Sequence, residues 1–148
     1  MGIWGWLLGS KREPRSPRAK FANLVAPVAG DEGFPATESQ MKELRKLACG
    51  EPPPDLTLRQ ASLILSARDF SRVLLEDALK KRIGQDGYYD LQSHVVAYIV
   101  SHNDVSAAVS RWSRRNYEGD DWKPPRKDQH WRQVLDFIGP AIDRLGGR

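Results

Sequence analysis

The chain has very few of the side chains from which metal centres and covalent catalysts are built. It carries one cysteine, Cys49, and three histidines, His94, His102 and His130, among 148 residues. A lone thiol excludes an internal disulfide and any cysteine-based metal cluster. Neither His94 nor His102 has a carboxylate three or four positions further on. A Gly-rich phosphate loop, a serine elbow and a kinase signature are all absent from the sequence. The expectation is a non-enzymatic protein with no cofactor, no metal site and no small-molecule substrate.

Long hydrophobic runs are missing too. No stretch approaches the ~20 apolar residues of a membrane-spanning helix. The apolar start, Met1 to Leu8, is too short for the core of a secretory signal, and its basic residues follow it rather than precede it. Gly2 does not open a myristoylation motif, because Trp6 stands where Ser or Thr is required. A cytoplasmic protein is expected, with contact at a membrane surface as the alternative.

What the chain does have is charge in an uneven distribution. The formal net charge is +4. Residues 1–30 hold Lys11, Arg12, Arg15, Arg18 and Lys20 against Glu13 alone, so the remaining residues sum to zero. The basic character therefore belongs to a leading arm, and the argument from high charge to nucleic acid applies to that arm and to local patches.

Composition and periodicity divide the chain into an apolar tip (1–9), a basic flexible arm or linker (10–35) and a helical domain (36–146). Ser10 to Arg18, Pro27, Gly30, Gly33 and Pro35 space helix breakers too closely for a long helix. Within the arm, Phe21 to Val28 is apolar enough to lie across the body as an extended segment. Thr37-Glu-Ser-Gln40 and Thr57-Leu-Arg-Gln60 have capping-box spacing, so a helix is expected after each. Gly50 and Pro52-Pro53-Pro54 stop the first. The second either breaks at Ser66, where Ser66-Ala-Arg-Asp69 reads as a fresh cap, or continues as one long helix to about Ile83; the break is the favoured reading. Asp90 reads as the cap of a helix through Val100, and Asn103 or Asp104 as the start of another. Trp112 and Trp131 fall on inward helical positions. Pro140 is expected to end the last helix or to open a short final one. The fold class is all-α, a compact bundle of five to six short helices with an extended N-terminal arm; short connections favour antiparallel neighbours.

Leu56 to Leu74 resembles the opening of excisionase-type DNA-binding domains, which begin with Leu-Thr, carry a mid-helix Ala, turn sharply and start a recognition helix. The resemblance implies a turn at Ser66 to Asp69, with Arg68, Ser71 and Arg72 facing the major groove. The Gly usual in such a turn is absent, and no basic wing follows. Ala36 to Ile64 also resembles short helical modules appended to bacterial and phage DNA-handling proteins.

Three further sets of residues are candidate contacts. Trp4, Trp6, Leu7 and Leu8 beside Lys11, Arg12, Arg15, Arg18 and Lys20 combine an interfacial wedge with cationic attraction, which suits an anionic membrane, a protein groove or nucleic-acid phosphates. Arg111, Arg114 and Arg115 share the side of a helix opposite Val105, Ala108 and Trp112. Lys123, Arg126, Lys127 and Arg132 follow, interleaved with Glu118, Asp120, Asp121 and Asp128. Such a face is either a salt-bridged solvated surface or a phosphate site. Trp122, in a loop beside Lys123-Pro-Pro, is the aromatic best placed for exposure. The leading expectation is an adaptor of bacterial or viral type, engaging DNA or a nucleoprotein complex through the arm and the helical surface. The alternative is a peripheral membrane or assembly component.

Overall fold

The computed structural model of the chain describes residues 18–79, 85–119 and 121–146. Its elements are one turn of 3-10 helix, Phe21–Leu24, followed by α1 (Glu38–Arg45), α2 (Leu58–Leu79), α3 (Gln85–Ser101), α4 (Asn103–Glu118) and α5 (Gln129–Gly146). Among the described residues the only β-type pairing is an isolated antiparallel bridge between Pro35 and Thr57. The all-α bundle expected of the sequence is the fold that forms.

Both capping boxes are built. Gln40 donates its N–H to Thr37 Oγ1, and Thr37 donates its own to Gln40 Oε1, each at 3.0 Å. Thr57 and Gln60 repeat the exchange at 3.1 Å in both directions. Each box satisfies two first-turn donors that have no partner within the helix. Beyond α1 the chain turns through Ala48 (φ 55°) and Gly50 (φ 104°) into the three prolines.

The favoured break at Ser66 does not occur, and the single-helix alternative forms instead. No Gly or Pro lies between Leu58 and Leu79, and Ala61, Ile64, Ala67, Phe70, Ser71, Leu74 and Leu75 form one unbroken buried stripe. Ser66 is not a cap; its hydroxyl donates across to Ser113 of α4 at 3.0 Å. The excisionase-like mapping loses its turn. It loses Ser71 as a groove contact as well, because that side chain is fully buried and its hydroxyl donates to the Arg68 carbonyl at 2.7 Å.

Helix α3 is the axis of the bundle. Every residue from Asp90 to Ala97 is buried, and the helix packs against α2, α4, α5 and the 3-10 turn. A helix covered on all sides belongs in a core. Asp90 is therefore not its cap: α3 has already begun at Gln85, and the Asp90 carboxylate is enclosed within the bundle.

The cover on one side of α3 comes from the residues expected to be a linker. From Arg18 onward the chain lies against the body. Ala19 donates its N–H to Ser93 Oγ at 2.9 Å, and Phe21 donates to the Cys49 carbonyl at 2.8 Å. Phe21 and Leu24 enter the core, as the apolar stretch from Phe21 to Val28 led one to expect, although the entry is a 3-10 turn rather than an extended strand. Further along, Gln60 Nε2 donates to the Ala26 carbonyl at 3.3 Å, and Thr57 Oγ1 to Asp31 Oδ2 at 2.6 Å. Residues 18–36 thus form a strap over α1–α3.

On the other side, Phe70 of α2 meets Trp112 of α4 and Trp131 of α5 edge-on, with both centroid separations 5.8 Å. Such edge-to-face pairs add to the gain from burial. Helix α5 continues unbroken through Pro140. The proline is exposed while Ile138, Ala141 and Ile142 face inward, so the backbone bond it cannot make falls on the solvent side. Gly139 removes the Cβ clash that normally bars helix before proline.

Candidate functional site

The structure sorts the expected cationic residues into two groups. The first lies around a groove of about 630 Å³ between the strap, α1, α2 and the start of α3, where Arg18, Lys46, Arg68 and Arg72 converge with Tyr88 and Tyr89. Here the charges are matched internally. Arg18 Nε bonds Asp90 Oδ1 at 3.0 Å and Arg18 Nη1 the Leu47 carbonyl at 3.3 Å. Arg68 bridges Glu43 at 3.1 Å and Asp69 at 3.0 Å. Lys46 also reaches Glu43, at 2.7 Å, and Arg72 lies 3.7 Å from Asp69. Glu76 lines the groove as well. Hydrogen bonds from Lys46 and Arg68 hold the Glu43 carboxyl below its ordinary range. Burial pushes the Tyr88 phenol up to about 12, with Glu76 adding to the shift. The Arg18 guanidinium sits 5.9 Å from the Tyr89 ring. Four cations against Glu43, Asp69, Glu76 and Asp90 leave this groove without excess charge, so it is a welded seam between strap and body. Beside it, burial raises the Cys49 thiol to about 11, which makes it a poor nucleophile.

The second group is on α4 and the loop after it. Arg111, Arg114 and Arg115 are exposed, and no ion pair ties them to a carboxylate among the described residues. Arg111, Arg114 and Tyr117 stand three apart along one ridge, with Arg115 four on from Arg111, so their side chains are neighbours. The buried face of the same helix is Val105 and Val109, with Trp112 half-buried. The loop is held against the helix chiefly by Asn116: its Oδ1 accepts the Lys123 N–H, and its Nδ2 donates to the Lys123 carbonyl, both at 2.9 Å. Trp112 Nε1 donates to that same carbonyl at 2.9 Å. Pro125 is buried just beyond. Flanking this clamp are two exposed aromatics, Tyr117 at 93% and Trp122 at 62%.

Residues 111–127 carry six cations against three carboxylates in a body that otherwise sums to a negative charge. Of those cations, Lys127 is engaged with Asp77 at 3.2 Å. Lys123 and Arg126 are exposed without a carboxylate partner among the described residues.

Of the residues singled out from sequence, Arg18, Arg68 and Arg72 line the seam, Lys20 is exposed on the strap, and Arg111, Arg114, Arg115 and Trp122 share the α4 surface. Trp4, Trp6, Leu7, Leu8, Lys11, Arg12 and Arg15 lie outside the described residues. Sequence reading missed Asn116 and Tyr117. A polar residue on the seam between helix faces gives no periodic signal, and a Tyr near a helix end reads equally well as core. No group of three His, Cys, Asp or Glu side chains suited to a metal ion occurs among the described residues. No helix there is long and apolar enough to cross a membrane. No protein-family model, curated protein or solved structure matches the chain.

Proposed function

We propose that the protein is a non-enzymatic interaction protein that holds nucleic acid, directly or within a nucleoprotein complex, on the surface formed by α4 and the loop that follows it. The observation that carries this reading is the partition of the arginines. Those at the seam are bonded to carboxylates and backbone, whereas Arg111, Arg114 and Arg115 point outward with no carboxylate partner among the described residues. Arginines left uncompensated along one ridge are matched to phosphate oxygens, which they bind in bidentate fashion. Lys11, Arg12 and Arg15 would add sequence-independent attraction.

The test is fluorescence anisotropy of a labelled oligonucleotide with the full-length protein across a salt series. Binding should weaken linearly on a log–log plot. Replacing Arg111, Arg114 and Arg115 together by Ala should shallow that slope by about 2 to 3, because each phosphate contact contributes about 0.7 to 0.9. Replacing Arg68 should leave the slope alone. Absence of binding at low salt, or a slope indifferent to the triple replacement, removes the proposal.

A further inference from the structure

We infer that the α4 surface takes nucleic acid as a single strand, with Trp122 as a stacking platform for an unpaired base and the neighbouring cations on its phosphates. This inference rests on the nucleic-acid reading and narrows it.

Exposure alone would not distinguish Trp122, because surface aromatics are common. Its setting does. Lys123, which follows it, is fixed through its backbone by three hydrogen bonds, two exchanged with Asn116 and one accepted from Trp112, and then come two prolines whose φ angles are locked. The backbone is held, yet the indole is turned out. A platform ordered in advance loses little conformational freedom when a ligand stacks on it.

The other aromatics near cations are occupied within the protein. Tyr89 lies under Arg18, and Trp131 has the Lys127 ammonium 5.8 Å from its ring. Trp122 and Tyr117 have neither a ring partner nor a cation over them among the described residues, while Arg114, Arg115, Lys123 and Arg126 are close in sequence and exposed. Aromatic faces interleaved with unpaired cations are the chemistry that binds single strands, because every base offers a π-face and every linkage a charge. A duplex hides its base faces, so it would use the arginines and leave Trp122 and Tyr117 in water. Glu118 and Asp121 stand at the turn between the two groups of cations. The phosphates would therefore follow the α4 ridge and the Lys123–Arg126 side rather than cross that turn.

The experiment compares an oligothymidylate of about 20 nucleotides, long enough for one compact site, with a duplex of equal length and salt, using the full-length protein. The single strand should bind more tightly. Trp122→Ala should weaken single-strand binding about tenfold without changing the salt slope, and Trp122→Phe, which keeps a flat ring, should recover most of that loss. Equal affinity for strand and duplex, or a Trp122→Ala protein that binds the strand as well as the parent does, overturns the inference while the nucleic-acid reading stands. Failure of both oligonucleotides to bind removes both.

Discussion

Arg18 donates through Nε to Asp90 Oδ1 at 3.0 Å, joining residues 72 positions apart, with the Asp90 side chain only 6% exposed. The pair stitches the strap to the first half of the innermost helix. A carboxylate so enclosed is tolerated only with a partner. Arg18→Ala should destabilise the fold by about 2 to 3 kcal/mol, since it strands that charge. The double change Arg18→Met with Asp90→Leu should cost less than Arg18→Ala alone. Urea unfolding of the three proteins decides it; a double variant no more stable than the single would show that the strap, not the charge, is at stake.

Cys49 offers an alkaline test. Burial raises its thiol from 9.0 to about 11, so the folded protein holds the proton that the unfolded chain releases. The stabilising contribution is whole below about pH 9 and is lost as pH rises towards 11. The loss is at most about 3 kcal/mol, at roughly 1.4 kcal/mol per unit. Cys49→Ala should flatten that part of the stability profile. In the native protein, alkylation of the thiol at pH 8 should be slow, and unfolding should release it.

Thr57 joins two devices in one hydroxyl: it accepts the Gln60 N–H to cap α2 and donates to Asp31 on the strap. That donation, with a second from the Gly33 N–H, holds the Asp31 carboxyl below its ordinary value. The contact is thus intact above the ordinary carboxylate range and is lost as pH falls through the lowered value. Thr57→Ala should cost about 1 kcal/mol and return the Asp31 titration, followed by NMR, to its ordinary position.

Asn116→Ala should separate loop placement from stability. The change removes both side-chain bonds to Lys123 but leaves the core intact, so the melting temperature should move little. The Lys123 amide, protected by Asn116 Oδ1, should exchange freely in the variant. Single-strand affinity should fall with it, because Trp122 would lose its fixed backbone.

The two capping boxes, at 37–40 and 57–60, are legible in the sequence because each is closed by its own residues within one turn. Ser66 misled because serine also caps helices; the continuous stripe through Ala67, Phe70 and Leu74 outweighs that local preference. Asp90 misled for the opposite reason, since its partner is Arg18 and no periodicity links such distant positions. Pro140 was tolerated because the orphaned carbonyl faces water. The surface on α4 was half legible. The arginine ridge shows in the spacing, but which arginines lack carboxylates depends on how the helices pack.

The placement of α3 has a consequence for how this molecule comes apart. With Asp90–Ala97 shielded from solvent on all sides, α2, α4, α5 and the 3-10 turn lean on the same rod, and none of them can peel away without wetting it. Melting should be all-or-none, and the slowest amide exchange should gather along this one helix. Trimming the chain to a smaller unit would yield no stable remnant, so the recognition surface and its scaffold stand or fall together.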